Sequence, residues 1–142
     1  MKKIILLLAI VGFFAQAHAQ KLLVTEVPAA VVTAFYKAYP TIQDVNWNQD
    51  GLNYEAGYQA DQVANSATYD VSGILVQTQV EIVNSALPAP AMDYVKINYK
   101  ENDIKKAFKI TDASNIVTYE AEVQGMDLTF TSEGTFINSI KK

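Results

Sequence analysis

A pattern of short strands around a tight turn occurs twice in this 142-residue chain, each time after a helical segment that opens with an apolar residue and a proline. The first occurrence runs from Tyr54 to Gly73 and the second from Tyr119 to Gly134. Recurrence of this kind is typical of chains built from repeated structural units. The sequence therefore predicts a duplicated unit of about 60 residues.

The two helical segments are predicted from the spacing of their apolar residues and from their prolines. Pro28 suits the first turn of a helix, where no backbone N–H is needed, and Pro40 is expected to end that helix. Pro88 and Pro90 fit only the first turn of the second helix. The first helix has apolar residues at intervals of three and four, which predicts one buried face: Val27, Ala30, Val31, Ala34, Phe35 and Ala38.

After each helix the apolar period changes to two, which is typical of antiparallel strands covered on one side. Asp50-Gly51 predicts a hairpin turn, and residues 61–66 are predicted to form a polar loop. The predicted fold class is α+β, a tandem repeat of a helix plus a four-stranded antiparallel sheet, with the helices packed on one face of the sheet. Because each copy alone buries little apolar surface, we expect the copies to pack side by side and merge their cores.

The first residues have the three parts of a secretory signal peptide. Lys2 and Lys3 are positive, residues 4–14 are apolar, and residues 17–19 form a small-x-small cleavage site. The apolar run is shorter than the roughly 20 residues that span a bilayer, and no cysteine follows for lipid attachment. The predicted organisation is a signal peptide at 1–19 and two helix-plus-sheet units at 20–83 and 84–142 in one compact body, located in the periplasm or secreted.

The composition limits the partners and the chemistry. The chain has 11 lysines, no arginine and no cysteine, and its net charge is −4. Without the two lysines of the signal peptide it is still more acidic. Phosphate binding depends on cations, so we expect no nucleic-acid partner and no membrane insertion after signal removal. An exported chain without disulfides must be held together by its core.

Most catalytic arrangements are excluded. His18, the only histidine, lies in the predicted signal peptide, so serine–histidine and cysteine–histidine catalysis and the usual zinc ligands are absent from the mature chain. A serine–lysine pair stays open. Residues 44–50 with Glu55 imitate a calcium loop, but Gln49 stands where such a loop needs glycine. We predict that the protein is not an enzyme and has no catalytic residue, cofactor or metal site.

Binding residues are predicted on the polar side of the sheet and in its loops. Glu120 and Glu122 lie about 7 Å apart on one strand face, which we interpret as a solvated face of the sheet. The same face is predicted to carry Glu55, Gln59, Thr68, Gln77, Gln79 and Thr129. The residues predicted to contact a partner are Asn48, Asp50, Asn53, Glu55, Asp61, Glu120 and Glu122. Side chains predicted to pack in the core are Trp47, Tyr54, Tyr58, Tyr69 and Tyr119.

The ordered set of motifs resembles a family. Its elements are Val27-Pro28, Val31, Phe35, Tyr39-Pro40, Trp47, Tyr54-Glu55, Tyr69-Asp70 and Gly73, then Leu87-Pro88, Tyr119-Glu120, Phe130 and Gly134. They resemble the PepSY-like, beta-lactamase-inhibitor-like secreted proteins of Bacteroidetes. The resemblance implies tandem helix-plus-antiparallel-sheet repeats and a binding rather than a catalytic role; it carries over no inhibitory activity, because the likeness to the inhibitors is one of fold. The predicted function is an exported non-catalytic binding module, protein-binding or inhibitory, with a protein partner in the cell envelope. The alternative is a periplasmic protein that binds a small ligand or cation in a tyrosine-lined pocket between helix and sheet.

Overall fold

The computed structural model describes residues 20–99 and 104–142, so the predicted signal peptide lies outside the described residues. The described part contains two α-helices, α1 (Ala29–Ala38) and α2 (Ala89–Asn98), each preceded by a short 3₁₀ turn, Val24–Glu26 and Asn84–Ala86. Its strands are β1 (Gln20–Leu22), β2 (Val45–Asp50), β3 (Asn53–Ala60), β4 (Val63–Tyr69), β5 (Leu75–Ile82), β6 (Ile104–Asp112), β7 (Val117–Val123), β8 (Met126–Thr131) and β9 (Phe136–Lys141).

The strands form a single antiparallel sheet of nine strands whose spatial order follows the sequence. The prediction of a tandem repeat of a helix plus a four-stranded sheet is therefore wrong. β5 pairs with β4 on one side and with β6 on the other, through six residue pairs from Gln77–Asp112 to Ile82–Ala107. An unpaired strand at this point would expose its backbone N–H and C=O groups, and continuing the sheet satisfies them. The division at residue 83 stays a prediction.

Each helix buries one narrow apolar stripe. Val31 and Phe35 are four residues apart on α1, and Ala91 and Val95 have the same spacing on α2. The backbone N–H of Tyr39 closes α1 by donating to the carbonyl of Phe35 at 2.8 Å, and a proline follows. Neither helix, nor any other in the described ranges, is long and apolar enough to cross a membrane.

The strand register places both helices on the same face of the sheet, over small side chains. Ala56 pairs with Ala67 under α1, and Ala107 pairs with Ala121 under α2. All four are fully buried, and their size allows a helix to approach the sheet closely. The core residues form two separate clusters, so the expectation of merged cores is wrong. The predicted core positions of Trp47, Tyr58 and Tyr69 are confirmed, while Tyr54 and Tyr119 are partly buried beside the clusters.

Two glycines allow strand turns to touch the helices. Gly73 lies in the β4–β5 turn with φ +80°, and a Cβ atom there would lie 2.6 Å from the carbonyl oxygen of Ala30 in α1. Gly134 lies in the β8–β9 turn with φ +89°, and its Cβ would lie 2.8 Å from the Cβ of Pro88. A side chain fits neither the backbone conformation nor the space. These two contacts fix the N-terminal ends of the helices over the sheet.

Candidate functional site: the open face of the sheet

The face of the sheet opposite the helices is the candidate site. No described helix lies over it. Its side chains alternate along each strand with those that face the helices, as the register requires. We call it the open face; it includes Asn46, Asn48, Glu55, Gly57, Gln59, Ser66, Thr68, Gln77, Gln79, Glu81, Phe108, Ile110, Glu120, Glu122, Asp127, Thr129, Asn138 and Ile140.

Three large apolar side chains lie on the open face: Phe108, Ile110 and Ile140. From sequence, Phe108 and Ile110 share one alternation with Ile104. In the structure the register shifts between Ile104 and Lys106, and this β-bulge turns the rest of β6 over. Ile104 therefore packs against the α2 cluster, while Phe108 and Ile110 face the other way. A second shift at the β8–β9 pairing separates Phe136, in the core, from Ile140 in the same way.

Four of the residues predicted to contact a partner lie together at the β2–β3 hairpin. Asp50 pairs with Asn53 and Asn48 pairs with Glu55, all on the open face, and the hairpin predicted at Asp50-Gly51 is confirmed. Burial raises the pKa of Glu55, while hydrogen bonds from Asn48 and Ser66 oppose that effect. The Ser66 hydroxyl donates to Oε2 of Glu55 at 3.4 Å.

Two further predicted residues, Glu120 and Glu122, lie on β7, four strands away from Glu55. At the usual strand spacing the two groups are about 20 Å apart, so they do not form one compact site. Lys142 forms ion pairs with two acids: its Nζ lies 2.7 Å from Oε2 of Glu122 and 3.2 Å from Oδ1 of Asp127. This hydrogen bond lowers the pKa of Glu122.

Glu120 has a different environment, which corrects its interpretation as part of a solvated face. Within the described ranges it forms no hydrogen bond or ion pair. Burial, and next the charge of Asp127, raise its pKa from 4.5 to about 7, although Lys142 acts in the opposite direction. Glu120 lies between Phe108 and Thr129 in the register, and Thr129 pairs with Asn138. The Oδ1 atom of Asn138 is buried and has no hydrogen-bond partner in the described structure.

Asp61 lies apart from the other predicted residues, and the predicted loop at 61–66 is wrong. The β3–β4 connection is the two-residue turn Asp61-Gln62, with φ of 52° and 64°, and β4 begins at Val63. Two positive φ angles are typical of the turns that match the twist of a hairpin. Neither residue is glycine, so the sequence carried no strong signal for this turn.

Sequence reasoning missed Phe108, Ile110 and Asn138. The polar face was identified correctly from alternation: all eight predicted positions, from Glu55 to Thr129, share the open face. The apolar members were missed because a β-bulge shifts the alternation by one residue, and no glycine or proline marks the bulge in β6.

Space for a small ligand lies outside the predicted position between helix and sheet. Within residues 20–99 and 104–142, no three histidine, cysteine, aspartate or glutamate side chains converge as metal ligands. The space between α1 and the sheet is filled by the contacting rings of Phe35, Tyr39 and Tyr58. A cleft of about 690 Å³ lies at the end of the sheet near the α1–β2 loop; among the residues lining it are Thr41, Asp44, Asn46, Gly57 and Gln59.

The described part of the chain is thus an α+β fold with one antiparallel sheet of nine strands and two helices on one of its faces. Its sequence matches no protein-family model and no curated protein. Several solved structures of Bacteroides proteins have a similar fold. A DUF2874 family protein from Bacteroides uniformis has a TM-score of 0.66 and 20% identity, over 80% of this chain and 88% of that one.

Two other structures have the same likeness. A protein of Bacteroides eggerthii, provisionally named as periplasmic, has a TM-score of 0.68 and 18% identity, over 81% of this chain and 88% of its own. A BLIP-like protein of Bacteroides fragilis has a TM-score of 0.57 and 20% identity, over 79% of this chain and 84% of its own. The predicted resemblance to inhibitor-like proteins of Bacteroidetes is confirmed for the fold, and the PepSY-like part of it stays a prediction.

Proposed function

We propose that the protein is an exported, non-catalytic binding module that holds a protein partner of the cell envelope against its open face. The observation that carries this proposal is the position of Phe108, Ile110 and Ile140 on a face that no described element covers. Apolar side chains rimmed by polar ones are typical of sites where another protein packs. The rigid sheet presents them without a further cost in ordering the chain.

A role in the envelope is supported by the predicted signal peptide and by the name of the Bacteroides eggerthii neighbour. A role without catalysis is supported by the absence of histidine and cysteine from the described residues. Inhibition of an envelope enzyme is the narrower form of the same proposal, and it is supported only by a likeness in fold to a BLIP-like protein.

Site-specific photo-crosslinking in the cells that export the protein tests this proposal. A photoreactive residue replaces Gln77 or Thr129 on the open face, and, as matched controls, exposed Lys37 on α1 or Asp93 on α2. We expect adducts of one defined mass from the two sheet positions and none from the two helix positions. Adducts from the helices alone, or from no position, would contradict the proposal.

Binding of a small ligand is the second candidate, and the 690 Å³ cleft near the α1–β2 loop favours it. The cleft is lined in part by Asn46, Gly57 and Gln59 of the open face, and of the tyrosines predicted to line such a pocket it includes Tyr58. Thermal-shift measurements against metabolites and metal ions separate this candidate from the first. A ligand present at 100 times its Kd stabilises the protein by about 2.7 kcal/mol.

A further inference from the structure

The half of the open face formed by β5–β9 combines carboxylates with apolar surface. Glu81, Phe108, Glu120, Thr129 and Asn138 are direct neighbours in register on five successive strands. We call them the Phe108 row. Direct cross-strand neighbours have Cβ atoms about 5 Å apart, so Phe108 lies in contact range of both glutamates.

We propose that the Phe108 row receives an arginine or lysine side chain of the partner, next to an apolar side chain that packs on Ile110. This inference rests on the proposed function and names the chemistry of the partner. A cation placed over Phe108 is attracted by the ring face and by the two flanking carboxylates. The buried Oδ1 of Asn138 is an acceptor without a donor in the same row.

Lys142 already places one cation on this face. The Nζ atom of Lys142 reaches Glu122 and Asp127, which are in the row next to Glu120. Lys142 thereby neutralises two of the acids of the open face. Glu120 and Glu81 have no ion pair among the described residues. A basic side chain of the partner meets those two acids, so its charge is complementary to the surface.

The other half of the open face lacks this combination. Around Glu55 the neighbours in register are Asn48, Thr68 and Gln77, which are uncharged and polar. Glu55 already accepts hydrogen bonds from Asn48 and Ser66. Glu55 and nearby Asp50 are carboxylates of that half, but their neighbours in register are polar, so the combination of carboxylates with an aromatic ring is particular to the Phe108 row.

An NMR titration of the exported, ¹⁵N-labelled protein tests the inference. The probe is a nonapeptide with arginine and leucine at its centre and glycine–serine flanks; matched peptides replace the arginine by glutamate or serine. We expect the arginine peptide alone to shift the amide signals of Phe108, Ile110 and Glu120. Equal binding of the glutamate peptide, or shifts confined to the Asn48–Glu55 region, would overturn the inference.

Two variants compared at pH 8, where both carboxylates are largely ionised and each substitution removes nearly one negative charge, sharpen this test. Glu120→Gln should weaken binding of the arginine peptide about five-fold, the equivalent of about 1 kcal/mol. Glu133→Gln is the control, because Glu133 is exposed in the β8–β9 turn. An equal loss in both variants would mean that net charge alone attracts the peptide, and the inference would fail.

The pH dependence supplies a second readout. The charged groups near Glu120 on the open face are Lys106 on β6, Glu122 on β7, Asp127 on β8 and Lys142 after β9, and Glu81 lies two strands away on β5. Since the pKa of Glu120 is about 7, its carboxylate form declines between pH 8 and pH 6. The advantage of wild type over Glu120→Gln should disappear across that range, and a constant advantage would count against the inference.

The failures of the two proposals are distinguishable. If Gln77 and Thr129 cross-link to a partner while the arginine peptide shows no preference, the partner's chemistry is wrong and the binding face stands. If neither position cross-links, the binding function itself is wrong.

Discussion

The half of the sheet under α1 and the half under α2 differ both in the core beneath the helix and on the open face. The α1 half has the more aromatic core, and the α2 half has the more apolar open face. Beneath α1 the core is aromatic: Phe35 contacts four rings at centroid distances of 5.0–5.5 Å, those of Tyr36, Tyr39, Trp47 and Tyr58. Beneath α2 the core is largely aliphatic, and among the described residues Phe130 contacts two rings, those of Tyr94 and Phe136, at 5.7 and 6.0 Å.

On the open face, the aromatic ring and the large aliphatic side chains lie in the α2 half instead. The α1 half presents amides, hydroxyls and the carboxylates of Asp50 and Glu55, whereas the α2 half presents Phe108, Ile110 and Ile140 beside Glu120, which has no ion pair among the described residues. The α1 half thus buries its aromatic rings in the core, whereas the α2 half places the ring of Phe108 on the open face. We infer that the α1 half contributes more to cohesion and the α2 half more to recognition.

Removing the central ring of each core tests the first part of this comparison and should give the largest effect. Phe35 and Phe130 are both fully buried. Phe35→Ala should cost about 4 kcal/mol of unfolding free energy, in the middle of the range for buried aromatic residues. Phe130→Ala should cost about 1 kcal/mol less, because each lost aromatic contact contributes about 0.5–1.5 kcal/mol. Urea unfolding measures both. An equal or larger cost for Phe130→Ala would break the comparison.

Substituting the glycine that contacts a helix should cost the same unfolding free energy in both halves, since both turns contact a helix in the same manner. Gly73→Ala and Gly134→Ala should each cost about 3 kcal/mol, from a positive φ angle and from overlap with helix atoms. Gly125→Ala is the matched control: its φ is +77°, but no atom lies within 4 Å of the added Cβ. It should cost about 1 kcal/mol in the same urea measurements. A control as costly as Gly73→Ala would show that conformation alone explains the effect.

Much of this fold is local and could be predicted. Proline positions, apolar spacing and Asp50-Gly51 determine the helices and the first hairpin through interactions within a few residues of sequence. The pairing of β5 with β6 is not local in this sense. No residue pattern distinguishes an edge strand from a shared one here, so the tandem four-stranded units were predicted where one continuous sheet exists.

The candidate site was predictable only in its polar part. Alternation identified Glu55, Gln77 and Glu120 as members of one face, because period two is a property of the strand backbone. The apolar part depends on the register shift between Ile104 and Lys106, which is a property of strand pairing. The burial of Glu120 depends on packing across several strands, and a sequence pattern contains no information on it.

The titration of Glu120 tests the assignment of recognition to the α2 half. It should give the smallest of these changes in unfolding free energy. In the folded protein its pKa is about 7, above its ordinary value of 4.5, so the folded state binds more protons between these values. The resulting stability is fully present below pH 4.5 and is lost as the pH rises through 7. We expect the wild-type protein to lose about 2 kcal/mol between pH 5 and pH 8, a figure reduced to allow for the partial exposure of Glu120.

Urea midpoints of two variants at pH 5 and pH 8 locate this loss on one half of the sheet. Glu120→Gln removes the titrating group and should flatten most of the pH dependence. Glu55→Gln should flatten it less, because hydrogen bonds to Asn48 and Ser66 oppose the rise in the pKa of Glu55. If Glu55→Gln has the larger effect, the buried charge lies on the α1 half of the open face, and the assignment of recognition to the α2 half fails.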